Sequence, residues 1–314
     1  MTASSSSTEL PVGIDSTPWS RLGPVRRFAR AQRLGTFAAL LIILFLATAA
    51  LAPWLTPHSP IRSIGPVLQS PGRTYLLGTD SLGRDVFSRV IQGSQVSLVV
   101  ATTVIVVQVT LSTLLGLISG YFGGWIDYLV QRTGEAFHAF PGLILYFIII
   151  SAFGSPNATG GNIFQTAWQL RVLILALSIP AFFGGSRIIR GATISLRNAD
   201  FVQGARALGA SDARIVVRHL LPNVLPIVLV QASSAVSGII LAEAALDFLG
   251  LGVAPGTPSW GADLSGRNRS FFVNAPWLAL APGLAISFTV LAFNLFGDAL
   301  RDYLDPRMRG IRRR

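Results

Sequence analysis

Long apolar runs alternate with short polar segments along the chain from residue 36 onward. A helix that crosses a membrane needs roughly 20 predominantly apolar residues. Six runs approach or meet this length, and they predict spans at about 36–53, 95–119, 138–154, 171–190, 223–246 and 276–298. The pattern therefore predicts an all-α polytopic membrane protein with six transmembrane helices.

The first run has features of a secretory signal, because arginines precede it and Ala50-Leu51-Ala52 resembles a cleavage site. The run is longer than a usual signal core, however, and a long Ser/Thr-rich tail precedes it. Pro53 would also follow the cut directly. We therefore interpret this run as an uncleaved first transmembrane helix.

A shorter amphipathic pattern precedes the second run. Val86, Phe87, Val90 and Ile91 fall on one helical stripe. Such a stripe next to polar, turn-rich sequence predicts a short helix lying at the membrane interface.

Composition supports the membrane assignment, since only 12% of the residues are charged and 51% are hydrophobic. A soluble domain carries about 25% charged residues. A net charge of +11 is compatible with nucleic-acid binding, but the arginines lie mainly in tails and loops between apolar runs. We therefore expect membrane lipid around this chain and no nucleic-acid partner.

The distribution of arginine predicts the orientation. If the N-terminus is cytoplasmic, eighteen of the 25 basic residues fall on the cytoplasmic side and seven on the outer side. This bias agrees with the positive-inside rule. Both termini and the polar segment 202–222 are then expected in the cytoplasm.

Two residue types are missing, and each excludes a class of chemistry. The chain has no cysteine and no lysine. Without lysine there is no standard Walker A loop, so any ATPase must be a separate polypeptide. Glu135 and His138 share a helical face but are too few for a metal site, and no nucleophile has a His/Asp arrangement near it. We expect no enzymatic activity, no metal and no cofactor bound by this chain.

The segment 202–222, VQGARALGASDARIVVRHLLP, lies between strongly apolar runs and carries three arginines. Residues 205–208 are good helix formers, Gly209 ends or caps that helix, and Ser211 can cap a second one. Pro222 is expected to close the second helix. A simple connecting loop, whose arginines only fix the topology, is an equally good interpretation of the pattern alone.

The same segment resembles the EAA loop of ABC-importer permeases. Gln203-Gly204-Ala205 occupies the E-A-A positions, Gly209 the glycine, and Leu221-Pro222 the terminal L-P. Gln203, Gly204 and His219 depart from the family's residues, and the change at Gln203 removes an acidic group. The resemblance implies a cytoplasmic coupling helix that docks on an ATPase subunit through Gln203, Gly204, Ala205, Arg206, Ala207, Leu208, Gly209, Asp212 and Arg214.

Further motifs resemble the C-type permease subunits of dipeptide, oligopeptide and nickel importers. These motifs are LLGTDSLGRDVFSRVIQGSQVSL at 76–98, FLGLG at 248–252, PSWG at 258–261 and DPRMRG at 305–310. The resemblance implies a type I (MetI-like) ABC permease core at 93–303. It would follow a cytoplasmic tail at 1–33 and a first helix with an outer segment at 34–92, and a cytoplasmic tail at 304–314 would end the chain.

The resemblance also implies the functional setting. The chain would form half of a peptide translocation pore in a bacterial cytoplasmic membrane, with a homologous second permease and an extracytoplasmic peptide-binding protein. Two ATPase subunits, or one fused ATPase chain, would bind ATP and magnesium. A nickel-type permease of the same family remains an alternative. A self-sufficient secondary transporter is a further alternative, although we find neither mid-membrane ion pairs nor an inverted repeat.

Three polar residues of the fifth predicted span are candidates for the translocation path. An acidic side chain within a span is costly unless it faces protein or water, so it is a candidate functional residue. We place Glu243 at the outer mouth of the path. An interfacial acid in contact with water is the alternative. Ser233 and Ser237 predict close helix packing, and the resemblance adds that they line the path.

Overall fold

The computed structural model describes residues 28–153 and 163–304, and within these ranges regular secondary structure is helical apart from one isolated bridge between Thr79 and Asp85. A π-helical segment, Ile215–Leu220, joins two of the helices. The helices in chain order are α1 Arg33–Ala50, α2 Ala52–Leu55, α3 Val86–Phe122, α4 Gly124–His138, α5 Gly142–Phe153, α6 Ile163–Leu196, α7 Asp200–Ala207, α8 Asp212–Arg214, α9 Leu221–Phe248, α10 Trp260–Asp263, α11 Gly266–Arg269 and α12 Trp277–Leu304.

Five helical stretches in the described part of the chain are long and apolar enough to cross a membrane, and α4 with α5 forms a sixth candidate. The two helices of this pair meet at 93°. Pro141 lies between them, and a proline removes a backbone donor and keeps the residue before it out of helical geometry. The all-α membrane architecture is thus confirmed, with a sharp bend at the start of the third predicted span.

The prediction of a separate interfacial helix at residues 85–91 is wrong. This stretch forms the first turns of α3, which continues through the membrane for 37 residues. Asp85 caps the helix by accepting a hydrogen bond from the Ser88 amide. Arg89, on the polar face that the pattern assigned to water, is only 2% exposed, because the loop between α9 and α12 covers it and supplies Asp263 as its partner.

The bundle is held by close contacts at small residues. A Cβ on Gly116 of α3 would lie 2.7 Å from the Ile189 Cβ, and one on Gly120 would lie 2.7 Å from the Thr193 Cβ. Both partners are on α6, so glycines spaced one turn apart allow the two backbones to approach. The same contact places the ends of α3 and α6 side by side, next to the loop that follows α6.

Candidate functional site: the coupling loop and the membrane cavity

The segment that resembles an EAA loop folds as a helix, a turn and a second helix. Residues 200–214, which contain these two helices, form the candidate coupling loop. Its first helix, α7, begins at Asp200 rather than at Gln203, and Leu208 follows its last turn. Gly209 adopts a φ of 80°, a left-handed conformation that glycine takes without a steric cost. Ser211 then caps α8 by accepting a hydrogen bond from the Arg214 amide. The predicted roles of Gly209 and Ser211 in the backbone are therefore present.

Pro222 does not end the second helix, contrary to the expectation. The chain passes from α8 through the π-helical segment into α9, and Asp212–Phe248 forms one candidate span of 37 residues. A proline in a regular α-helix loses one hydrogen bond and clashes with the carbonyl four residues earlier. Pro222 instead lies near the start of α9, directly after the wider π turn, where both problems are reduced.

Most of the candidate coupling residues face outward. Leu208 at the turn is 90% exposed, and Ala205 is half-buried. Val202 and Ile215 are fully buried and anchor the loop to the bundle. The exposed members are Gln203, Gly204, Arg206, Ala207, Leu208, Gly209, Asp212 and Arg214.

Tyr121, at the end of α3, ties both arms of this loop to the bundle. Its hydroxyl donates to Asp212 Oδ1 at 2.5 Å and accepts from Arg206 Nη2 at 3.1 Å. The hydrogen bond to Tyr121 raises the pKa of Arg206 above its ordinary value, so the guanidinium stays charged. Two residues that flank the Gly209 turn thus meet on one phenol oxygen.

Nothing in the sequence pattern indicates this role of Tyr121. A tyrosine at the end of a span is usually an interfacial anchor, and Tyr121 follows a glycine in a Gly-rich segment. Only the fold brings it to residues that lie far along the chain.

A cavity of about 1050 Å³ lies between helices of the bundle, and it is widely open, since Asn223, Ser234 and Asp298 in its lining are exposed. It is lined by residues of six helices, and the polar or charged ones are Gln108, His138, Tyr146, Asn223, Gln231, Ser234, Asp298 and Arg301. Asn223 lies at the start of α9, while Asp298 and Arg301 lie near the end of α12. The cavity therefore reaches the same end of the bundle as the coupling loop.

The three candidate path residues do not line this cavity. The Ser237 hydroxyl donates to the Val290 carbonyl of α12 at 3.2 Å, and a Cβ on Gly297 of α12 would lie 3.4 Å from the Ser233 Oγ. The packing role of Ser233 and Ser237 is thus observed. On the adjacent stripe of α9, Gln231 and Ser234 line the cavity instead.

Glu243 is inside the protein and not at an open mouth. Its side chain is 0% exposed, and Glu243 Oε1 accepts a hydrogen bond from Ser97 of α3 at 3.1 Å. The alternative interpretation, an interfacial acid in contact with water, is wrong in this conformation as well. The acid is covered because α3, α9 and α10 pack together at this end of the bundle.

Buried polar contacts close the bundle opposite the coupling loop. Arg89 of α3 forms an ion pair with Asp263 of α10, with Nη2 and Oδ1 2.5 Å apart. Burial raises the pKa of the Asp263 carboxyl, and the Arg89 guanidinium partly offsets this effect. Asp247 accepts hydrogen bonds from the Ser259 hydroxyl and from the Val253 amide. These contacts tie the loops at this end of the bundle to the starts and ends of the spans.

A bundle of membrane spans with a large inner cavity and an anchored, water-facing loop defines an integral membrane transport subunit. Residues 112–310 match the family described as "Binding-protein-dependent transport system inner membrane component", and the chain belongs to this family. It is therefore a permease subunit of a type I ABC importer in a bacterial inner-membrane transport family. Membership implies ATPase and binding-protein partners.

Relatives align along nearly the whole chain. The glutathione transport system permease protein GsiD of Escherichia coli O157:H7 is 40% identical over 296 residues, which is 94% of this chain and 92% of the relative. The protein of the same name from Pectobacterium atrosepticum is 38% identical over 295 residues, 93% of this chain and 92% of that protein. These relatives are transport permeases, in agreement with the expectation of a non-enzymatic subunit.

Proposed function

We propose that this chain forms one half of the translocation path of an importer for small peptides. The observation that carries the proposal is the cavity that reaches the coupling-loop end of the bundle. Its volume of about 1050 Å³ matches the upper range of sites for small molecules, and a short peptide fits within it. The relatives named above belong to transport systems for glutathione, which is a tripeptide.

The lining of the cavity suits a zwitterionic substrate. Asp298 and Arg301 provide one charge of each sign at its loop end, and these can pair with an ammonium and a carboxylate group. The neutral amides of Gln108, Asn223 and Gln231 can exchange hydrogen bonds with peptide groups. A nickel-type function is the alternative, but His138 and Asp298 are the imidazole and carboxylate that this cavity offers in the described part of the chain.

The loop at 200–214 is the proposed contact with the ATPase. It exposes the apolar Leu208 between two charged arms, while Val202 and Ile215 fix it to the bundle. We place this loop and both termini in the cytoplasm. A homologous second permease completes the path, and two ATPase subunits or one fused chain bind ATP and magnesium. An extracytoplasmic peptide-binding protein delivers the substrate.

The conformation corresponds to an inward-open state under this topology. The cavity reaches the loop end, and the Arg89–Asp263 pair closes the opposite end. ATP-driven closure of the ATPases would move the loop and, through α9 and Tyr121, reorient the spans. Alternating access then follows from a change in which end is closed.

Reconstitution of the complete importer in liposomes tests this function. The partner permease, ATPases and binding protein encoded next to this chain are purified with it, and uptake of labelled glutathione and glycylglycine is measured with and without ATP. We expect ATP-dependent peptide uptake that excess Ni²⁺ does not inhibit. Peptide uptake by this chain alone would instead identify a secondary transporter, and ATP-dependent nickel uptake without peptide uptake would identify the nickel alternative.

A further inference from the structure

A polar side chain next to the cavity carries an atom that no group in the described ranges satisfies. Gln108 of α3 lines the cavity and is only 6% exposed, and its Oε1 has no hydrogen-bond partner within residues 28–153 and 163–304. Leaving a buried amide carbonyl unpaired is unfavourable, and native structures rarely do so without a functional reason. The oxygen itself is enclosed in this conformation, so the Gln108 amide has to turn toward the cavity to accept a hydrogen bond from a donor there.

Gln231 of α9 places a second amide in the lining of the cavity, next to Gly185 of α6. A Cβ on Gly185 would lie 2.4 Å from the Gln231 Nε2 and 2.9 Å from the Ser112 Cβ. Ser112 lies four residues after Gln108, on the same face of α3. Gly185 therefore leaves room for the Gln231 amide next to the face of α3 that carries Gln108.

Both amides lie well away from the loop ends of their helices. At a rise of roughly 1.5 Å per residue, Gln108 is about 21 Å from the Phe122 end of α3 and Gln231 is about 15 Å from the Leu221 end of α9. With these two ends taken as one edge of the hydrocarbon core, which is about 30 Å thick, both positions are near its middle. A peptide that reaches them has left bulk water, and its backbone N–H groups need acceptors there.

We propose that Gln108 and Gln231 form a contact site for the backbone of the transported peptide, with Gln108 Oε1 accepting a hydrogen bond from a peptide N–H. The site rests on the proposed function, because its ligand is the cargo of the path. A neutral carbonyl of this kind binds the peptide group, which all peptides share, and does not select a particular side chain. Water can occupy the site between transport cycles and leave when cargo arrives.

N-methylation of the cargo tests this contact directly. Glycylglycine has one peptide N–H, and glycylsarcosine carries a methyl group in its place. ATP-dependent uptake of both is measured with the complete reconstituted importer, using wild type, Gln108→Leu, and the control Gln95→Leu. Gln95 is on α3 and bonds Gln92 outside the cavity. Discrimination by the binding protein is common to all three preparations and cancels in their comparison.

In the wild type and in Gln95→Leu, we expect the ratio of glycylsarcosine uptake to glycylglycine uptake to be about tenfold lower than in Gln108→Leu; a tenfold change corresponds to about 1.4 kcal/mol. Gln108→Leu should lower glycylglycine uptake about tenfold and leave glycylsarcosine uptake nearly unchanged.

An equal penalty for N-methylation in wild type and Gln108→Leu would overturn the contact site and leave a structural water as the partner of Gln108. If Gln108→Leu does not assemble, Gln231→Leu gives the same comparison from the facing helix. The proposed function has a separate failure: a wild-type complex that hydrolyses ATP but carries neither glutathione nor glycylglycine would refute peptide transport, and the contact site with it.

Discussion

Tyr121→Phe removes a single oxygen atom and with it both hydrogen bonds that tie the coupling loop to α3. The ring remains, so its packing in the bundle is preserved. Hydrogen bonds to charged groups contribute about 1.5–3 kcal/mol each when buried and less when, as here, water can replace a lost partner. Arg206 is exposed, and water replaces its lost contact. The bond from the buried Tyr121 hydroxyl to Asp212 alone supports a magnitude, and we expect its removal to weaken loop anchoring by about 1 kcal/mol.

A loss of this size raises the population of detached loops roughly fivefold. In the assembled importer this should lower peptide uptake per ATP hydrolysed several-fold, because ATPase motion would reach the loop without reaching α3. Uptake and phosphate release are measured on the same liposomes. Tyr128→Phe is the control, since Tyr128 is 70% exposed on α4.

A merely structural role for Tyr121 would lower the amount of assembled complex and leave the ratio of uptake to hydrolysis unchanged. An unchanged ratio in Tyr121→Phe would therefore refute the transmission role. Adding Asp212→Ala to Tyr121→Phe gives a further check, because two changes that remove one shared contact should have less than additive effects.

The remaining predictions concern the loop turn and the closed end. Gly209→Val should leave assembly largely intact, since nothing lies within 4 Å of the added Cβ. A φ of 80° costs a β-branched residue about 1–3 kcal/mol, so the turn should change shape and peptide uptake per ATP hydrolysed should fall. Normal uptake in this variant would argue against a coupling role. Glu243→Gln should keep peptide uptake within about twofold of the wild-type value, which corresponds to about 0.4 kcal/mol, because this side chain does not reach the cavity. A large loss of uptake with unchanged thermal stability would instead show that Glu243 belongs to the translocation path. Asp263→Asn leaves Arg89 buried without its counter-ion and should destabilise the subunit by about 3–5 kcal/mol, measured as a lower Tm of the purified complex; an unchanged Tm would contradict the importance of the pair.

The local features of the coupling loop could be predicted from the sequence because each has a local cause. Gly209 and Ser211 have strong intrinsic preferences for a helix end and a helix start, and they occupy those positions. The apolar runs likewise predicted the spans, since length and hydropathy decide whether a helix can cross a membrane.

Features that depend on the neighbours of a helix could not be predicted in the same way. The amphipathic stripe after Asp85 predicts a helix at the membrane surface, but the polar face of this helix is covered by a loop that supplies Asp263 to Arg89. The rotation of α9 about its own axis likewise decides whether Ser233 or Ser234 lines the cavity. Such a rotation leaves no trace in the periodicity of a nearly uniform apolar span.

The π-helical segment Ile215–Leu220 has a mechanical consequence for the route between the loop and the spans. A π turn is wider than an α turn, so the backbone route from the loop into α9 passes through a segment of unusual helical geometry. The Tyr121 contact adds a side-chain route, because it connects both sides of the loop to α3, a continuous helix of 37 residues. A displacement of the loop would therefore act on two spans at once, on α9 through the backbone and on α3 through Tyr121.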